Sequence, residues 1–386
     1  MDGKYVRQTW AEINLDAIGH NVRVSKQILP PGTGVMAVVK ANAYGHGASQ
    51  VAEIALQNGA EYLGVAAADE AIELREAGIT APILILGYTP TNFAKDIVTY
   101  DLTQTVFNTD LLLALDRAAR EQNTKAKIHL KVDTGMGRLG FTGLDEVVGF
   151  AKRAADMPGI NLEGIFTHFA TADELDSSYA EEQISRFAAV LERLQLAGLK
   201  IPLQHISNSA GIIQYTNCPG NMVRLGISMY GYYPSQEVPK DVELQPALRF
   251  VSHVVHLKEV PAGTKISYGA TFETKAPSKI ATIPVGYADG YSRLLSNKGE
   301  ALIRGMRVPV VGRVCMDQLM LDVTEVEAVE TGDEVVLYGR QGNSEIPLDE
   351  VADKIGTITY EVLCVLGRRV PRKFQHLGKT VEVQTM

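Results

Sequence analysis

One lysine sets the chemistry to look for. The run Val35-Met36-Ala37-Val38-Val39 is apolar and of strand type, and it ends on Lys40. A short turn containing Gly45 and Gly47 follows, and then a helix-type segment begins. Burial penalises an ammonium, so a lysine closing a buried strand is biased toward its neutral, nucleophilic form. That form is needed for a Schiff base with an aldehyde cofactor. The bland alternative is a side chain snorkelling out of a strand end. Lys40 gains weight from its company. Lys131 and Asp133 close a later apolar run and are followed by Thr134-Gly135-Met136-Gly137-Arg138. His168 closes another, His205, Ser207, Asn208 and Ser209 a third, and Arg224 precedes Gly226 in a fourth.

Each of these has a chemical reading and a structural one. A glycine just past a strand, as in Asn221-Met222-Val223-Arg224-Leu225-Gly226-Ile227, lets backbone N–H groups approach an anion, and Ser209 and Tyr44 could add hydroxyl donors. The structural reading makes Gly226 a turn and Ser209 a helix cap. Arg224 poses a question if the aldehyde is pyridoxal phosphate, whose pyridine nitrogen most enzymes keep protonated with a carboxylate. An arginine cannot accept that proton. Facing the nitrogen, it would leave the ring neutral and a weaker electron sink; otherwise it is a buried arginine paired with a carboxylate. Period-two alternation puts Lys127, His129, Lys131 and Asp133 on one face of their strand. With the apolar face toward outer helices, Lys131 points inward beside Arg138. Two cations there repel unless one is neutralised, and Asp133 is the plain candidate. Further on, Ser267-Tyr268-Gly269 sets a tyrosine in a loop, either as packing or as a base, and Gly312-Arg313-Val314-Cys315-Met316-Asp317 forms a similar compact loop.

Something must bring these groups to one place. Strand-type runs at Val35–Val39, Tyr62–Ala66, Pro82–Leu86, Leu102–Phe107, Lys127–Val132, Leu162–Thr167, Leu203–Ile206 and Met222–Leu225 alternate with helix-type segments. Those segments include Ala48–Gln57, Asp69–Ala77, Phe93–Val98, a helix capped by Asp110, Leu144–Ala155 and Tyr179–Leu196. Such alternation implies a parallel sheet with right-handed crossovers, and roughly eight units over about 210 residues favour a closed (β/α)8 barrel of TIM type. A doubly wound open sheet would want GxGxxG after its first strand, which is absent. Chemistry in such barrels gathers at the C-terminal strand ends, where Lys40, Lys131, His168, His205 and Arg224 fall. Before the barrel, Thr9–Leu15 reads as a short strand, with Asp16 capping a helix that carries Ile18, Val22 and Ile28. After about Leu244, short strands separated by turn residues predict a mainly β domain. The expected domains are therefore 1–243 for the barrel and 244–386 for the β domain, with residues 1–14 a candidate to pack with the latter.

Composition excludes several functions. The 386 residues carry a formal charge of -8 and no basic run, which argues against a nucleic-acid surface. No apolar stretch is long enough for a membrane span, and the N-terminus lacks the apolar core of a secretory signal. Three scattered cysteines without metal-ligand spacing suit a reducing cytoplasm, and no metal is expected.

Taken together, these motifs identify a family. Ala37-Val38-Val39-Lys40-Ala41-Asn42-Ala43-Tyr44-Gly45-His46-Gly47 resembles the cofactor-attachment signature of bacterial, pyridoxal phosphate-dependent alanine racemases. Lys131–Arg138, Asn208-Ser209, Asn221–Gly226, Ser267–Gly269, Gly286-Tyr287-Ala288-Asp289-Gly290 and Cys315-Met316-Asp317 match in order, so the resemblance runs end to end. It implies an isomerase interconverting L- and D-alanine for peptidoglycan, as a head-to-tail homodimer with shared active sites. Lys40 would hold pyridoxal 5'-phosphate as an aldimine and act as one base, and Tyr268 of the partner subunit would act on the opposite face. Tyr44, Ser209, Gly226, Ile227 and Tyr360 would cradle the phosphate, with Asn208 beside them. Arg224 would meet the pyridine nitrogen, and His168 would pack on the ring and link to Tyr268. Arg138 and the Met316 N–H would orient the substrate carboxylate. Lys131 would carry a carbamate, which resolves its repulsion with Arg138. Tyr287, Tyr360, Arg293 and Arg313 would narrow the entrance.

Two other readings remain open at this level. An amino-acid decarboxylase of related architecture would want a glutamate near the pyridine nitrogen, where Arg224 stands. A non-catalytic pyridoxal phosphate carrier would lack the second domain and have no use for Tyr268.

Overall fold

A computed structural model describes residues 7–385. Residues 1–6, most of the stretch read above for a secretory signal, and residue 386 lie outside the described set. By contacts the chain divides into two units. One comprises Ala17–Ala43 and Gly47–Gln245; the other takes the chain up to Asp16, Tyr44–His46, and everything from Pro246 onward.

The first unit is the expected barrel. After β1 (Trp10–Asn14), strands β2 (Gly34–Val38), β3 (Tyr62–Val65), β4 (Ile83–Ile85), β5 (Thr103–Val106), β6 (Ala126–Lys131), β7 (Ile160–Phe166), β8 (Leu203–His205) and β9 (Met222–Leu225) follow in order. Strands β2 to β9 close into a barrel, sealed by parallel pairing of Gly34–Ala37 with Met222–Leu225. Parallel strands covered on both faces read as continuous apolar runs, which is why periodicity alone located them. Met36, Tyr62, Leu84, Phe166 and Met222 pack together inside. The helices between them are α1 (Leu15–Gln27), α2 (Ala48–Gln57), α3 (Ala68–Glu76), α4 (Ala94–Thr99), α5 (Thr109–Glu121), α6 (Leu144–Asp156), α7 (Ser178–Leu196) and the short α8 (Ser209–Gln214).

Two expected caps are corrected. Asn108, not Asp110, caps α5, accepting from the Leu111 N–H at 2.9 Å. Asp110 sits in the first turn, where its charge suits the helix dipole. Asp16 lies inside α1 rather than before it; its carboxylate accepts from Leu377 N–H at 2.8 Å and pairs with His376 at 2.8 Å. The C-terminal hairpin, invisible to local pattern, claims that side chain. Helix α1 ends at Gln27, so Ile28 lies beyond it.

The second unit is mainly β. Its principal sheet runs β16-β15-β18-β10-β1-β20-β21, with β19 on β18. These strands are β10 (Leu248–His253), β15 (Glu300–Ile303), β16 (Met306–Pro309), β18 (Glu334–Gln341), β19 (Ser344–Ile346), β20 (Arg372–His376) and β21 (Lys379–Gln384). Strand β1 is central here, antiparallel to β10 and parallel to β20. A three-stranded sheet orders β11 (His256–Val260), β14 (Ser278–Ile283) and β17 (Leu319–Asp322), and β12 (Lys265–Ile266) pairs with β13 (Phe272–Glu273). The pattern reading missed β11, β12, β13, β19, β20 and β21, most of which are polar and partly exposed, so no apolar alternation marks them. Helices α9 (Leu348–Ile355) and α10 (Thr359–Cys364) complete the unit.

Candidate active site

Strand β2 ends at Val38, one residue before the run Val35–Val39 placed its end, and Lys40 opens a turn of unusual hand. Ala41, Asn42 and Ala43 have φ/ψ of 53/50°, 51/48° and 53/54°, and Tyr44 has φ 50°. Four consecutive non-glycine residues are thus left-handed, at a cost of about 1–2 kcal/mol each. Hydrogen bonds hold the turn: Ala43 N–H donates to Val39 O at 2.8 Å, and Gly47 N–H to Asn42 O at 3.0 Å. Gly45 continues at φ 80°, and a Cβ there would meet Leu363 O at 2.5 Å. Chain reversal in this hand leaves the half-buried Lys40 at the strand's C-terminal end.

Arg224, on β9, is 3% exposed. It has no carboxylate partner among the described residues, which removes the structural reading offered above. Its Nη2 donates to Ile206 O (2.8 Å), Thr167 O (2.9 Å) and His168 Nδ1 (3.0 Å), and its Nη1 to His205 Nδ1 (2.7 Å). A guanidinium only donates, so this geometry dictates every tautomer beyond it. His205 accepts at Nδ1 and carries its proton on Nε2, which reaches His129 Nδ1 at 2.9 Å. His129 then carries its proton on Nε2, 3.4 Å from Glu163 Oε2. Glu163 also accepts from Tyr62 Oη at 2.8 Å. A polar chain thus crosses the barrel interior from Arg224 to Glu163.

Electrostatics follow from the burial. His205 and His168 fall well below ordinary histidine, through burial first and the Arg224 charge second; Arg138, Lys131 and Lys40 add to the effect on His168. His129 is lowered by burial, with Glu163 pulling the other way. Burial would raise the Glu163 carboxyl, but hydrogen bonds from His129 and Tyr62 prevail and hold it low. The imidazoles are therefore neutral, and the cation among them is Arg224.

Lys131 points inward as alternation required: it is 4% exposed, with Nζ 5.2 Å from the Phe166 ring centroid. Burial, then the Arg224 charge, with Arg138 adding, pushes its amine down to about 7 against the pull of Asp133. Asp133 attracts that amine but does not outweigh burial and the arginines. Its oxygens accept from the N–H groups of Gly135 (2.9 Å), Gly137 (3.1 Å) and Arg138 (3.1 Å), tying down the loop that carries Arg138.

Asn208 caps α8 by accepting from Gly211 N–H at 3.0 Å, so the cap is Asn208 rather than Ser209. The Ser209 hydroxyl accepts from Gly226 N–H (2.9 Å) and Ser228 N–H (3.3 Å). With both lone pairs taken, its own O–H is left to donate. Ile227 opens the short turn that follows, Ile227–Tyr230. This donor set fits an anion such as a phosphate.

The second unit holds the remaining residues. Tyr268 is 70% exposed in a tight turn where Gly269 has φ 73°, its Cβ position 3.4 Å from the Arg313 guanidinium carbon. Ser267 Oγ donates to Arg313 O at 2.6 Å, so Tyr268 and Arg313 are neighbours. Tyr287 N–H and Ala288 N–H donate to Cys315 O (3.0 Å) and Met316 O (3.1 Å), joining the loops of Tyr287 and Met316. Asp289, with its side chain fully buried, pins them: it pairs with Arg7 (2.6 Å) and Arg369 (2.8 Å) and accepts from Gly286 N–H (3.0 Å). Arg369 reaches on to Asp317 at 2.7 Å. Tyr287 and Arg293 line one cavity of about 380 Å³ with Tyr291 and Tyr338. Tyr44 and Tyr360 have ring centroids 6.0 Å apart.

Sequence reasoning gave no role to His129 and missed Glu163. The signal was available for His129, which alternation put on the inward face. A glutamate inside the run Leu162–Thr167 was the clue to the other.

A family model described as alanine racemase, N-terminal domain, matches residues 13–234, and its C-terminal counterpart matches residues 247–374. Alanine racemase 2 of Caldanaerobacter subterraneus subsp. tengcongensis is 52% identical over 379 residues, covering 98% of each chain. The alanine racemase of Methanococcus maripaludis is 49% identical, covering 95% of this chain and 98% of its own. A crystal structure of alanine racemase from Bacillus anthracis, with bound L-Ala-P, superposes with a TM-score of 0.93 at 42% identity over 99% of both chains.

Proposed function

The chain belongs to the alanine racemase family, and on that premise we propose that it interconverts L- and D-alanine by two bases, with pyridoxal 5'-phosphate held on Lys40. The observation that carries the reading is Arg224: a buried cation whose partners are neutral imidazoles and carbonyls, where a carboxylate facing the ring nitrogen would be wanted by other chemistries of this cofactor. A decarboxylase is disfavoured on the same ground, and a carrier is disfavoured by the C-terminal domain match.

The residues fit the cofactor. The Ser209 O–H, with the Ile227 amide and the hydroxyls of Tyr44 and Tyr360, would hold its phosphate beside Gly226, whose own amide holds Ser209 in place, and Lys40 would bind its aldehyde carbon. When bound, the cofactor delocalises the electron pair left on the α carbon of an attached amino acid. Lys40 Nζ takes or returns the α proton on one face, and Tyr268 Oη of the partner subunit serves the other. Opposite faces are required because a planar carbon must be protonated on the side away from the one deprotonated. Arg224 donates and cannot accept, so it would leave a ring nitrogen that faced it unprotonated and the bound group a weaker electron sink, which would disfavour transamination. His168, neutral and with Nδ1 bound to Arg224, keeps its Nε2 proton for a donor role. Arg138 and the Met316 N–H orient the substrate carboxylate, and a carbamate on Lys131 offsets the Arg138 charge. Tyr287, Arg293 and Arg313 admit small substrates.

This reading makes the protein a homodimer with shared sites, supplying D-alanine for peptidoglycan in the cytoplasm. No disulfide joins Cys218, Cys315 and Cys364, which supports that location, and no helix among the described residues is long and apolar enough to cross a membrane. The test is a chirality assay with alanine and serine in both directions, with and without added pyridoxal phosphate, followed by borohydride reduction and peptide mapping. Labelling of Lys40 with alanine racemisation is expected. Labelling of another lysine sinks the assignment.

A further inference from the structure

The left-handed turn after Lys40 is strained, and only part of its hydrogen bonding is local. Ala43 N–H and Gly47 N–H find carbonyls within the turn. Ala41 N–H, the first amide after Lys40, donates instead to Glu70 Oε1 at 2.6 Å. Glu70 sits in the first turn of α3, and its other oxygen, Oε2, accepts from Ala66 N–H at 2.7 Å and Ala67 N–H at 3.3 Å. Those two amides leave the end of β3, the barrel neighbour of β2, and Val39 N–H extends that pairing to Gly64 O at 2.8 Å. One carboxylate therefore binds the exits of two adjacent strands. At the far side of the turn, Asn42 Oδ1 accepts from Ala48 N–H at 2.8 Å and starts α2.

We propose that Glu70 is a positioning residue for Lys40: it clamps the left-handed turn at its entrance, as Asn42 does at its exit, and so sets where the amine stands. The proposal rests on the reading of Lys40 as the reacting lysine. Glu70 touches no reacting atom. Its role needs an acceptor at both carboxylate oxygens, because Oε1 and Oε2 each face N–H groups. A glutamine would turn one acceptor into an NH2 aimed at an N–H, and the clamp would open on one side.

The experiment uses the holoenzyme and Glu70→Gln, with Glu76→Gln at the other end of the same helix as control. Amide exchange of the peptide spanning Ala41–Gly47 is expected to quicken by roughly tenfold in Glu70→Gln while barrel-strand peptides keep their rates. Alanine kcat should fall roughly 10- to 100-fold, since small misplacement of a reacting group is costly. KM should move by less than about threefold, because substrate-binding groups are untouched. Adding Ala41→Gly, which removes the Cβ that makes the left-handed conformation costly, should restore part of kcat. If Glu70→Gln does not fold, Asn42→Ala opens the exit alone and carries the same expectation. Unchanged exchange in the turn, an equal kcat loss in Glu76→Gln, or no recovery on adding Ala41→Gly overturns the proposal. If wild type does not racemise alanine, the functional reading fails, and the exchange result still decides whether Glu70 clamps the turn.

Discussion

Lys131 permits a quantitative test of how the barrel interior treats a cation. Its amine is lowered from 10.5 to about 7 by burial and by the Arg224 and Arg138 charges. At pH 8 it is ~90% neutral, whereas an unperturbed lysine is ~0.3% neutral, a ratio of roughly 300. Only the neutral amine attacks carbon dioxide: the nitrogen lone pair forms the N–C bond, one C=O π pair moves to oxygen, and a proton leaves to water. The product is an anion at the position where Arg138 needs one. In 13C-bicarbonate at pH 8, a single carbamate resonance is expected, absent in Lys131→Met and fading as pH falls through about 7. Electron density at Lys131 should show the added carboxylate. Label spread over surface lysines, label retained in Lys131→Met, or a plain amine with chloride beside Arg138 would refute the reasoning. Stability offers an independent reading without carbon dioxide. Between about pH 7 and 10.5 the unfolded chain holds a proton that the folded chain does not, so stability should rise with pH across that window, by on the order of 5 kcal/mol in all. Lys131→Met should flatten that slope in denaturant titrations.

Other substitutions probe different parts of the scheme. Tyr268→Phe should slow racemisation by about 10²–10⁴-fold in both directions alike, because enantiomers have an equilibrium constant of one, and should slow exchange of the α proton far less on the Lys40 face than on the other, read by deuterium uptake from each enantiomer. Equal retention of both would remove Tyr268 from the chemistry. Arg224→Gln strands acceptors at His205, His168 and two carbonyls, and should cost about 2–4 kcal/mol in urea unfolding; an unchanged midpoint would show that the chain to Glu163 is not what holds β9. Asp289→Asn leaves Arg7 and Arg369 without their shared anion and should lower stability by about 2–4 kcal/mol. It should also raise alanine KM, because the Tyr287 and Met316 loops lose their pin.

Much of this protein was legible in its residues. The barrel was, because strands buried on both faces are apolar throughout and helices between them carry one apolar stripe, and both patterns are local. Lys40, Lys131, His168 and Arg224 were legible because a polar group ending an apolar run needs a reason. The polar strands β20 and β21 were not, since what makes them strands is the neighbour they pair with. Nor was the second unit's claim on Asp16, although β1 lies within the residues 1–14 read as a candidate to pack with that unit. The hand of the turn after Lys40 could not be read either: alanine and asparagine do not ask for φ near 50°, and the bonds at its two ends, to Glu70 from Ala41 N–H and to Asn42 from Ala48 N–H, come from the fold. The residue types determined what chemistry was possible. The fold decided which proton each imidazole carries and how far the Lys131 amine falls, because both depend on what lies a few ångströms away rather than on what comes next in the chain.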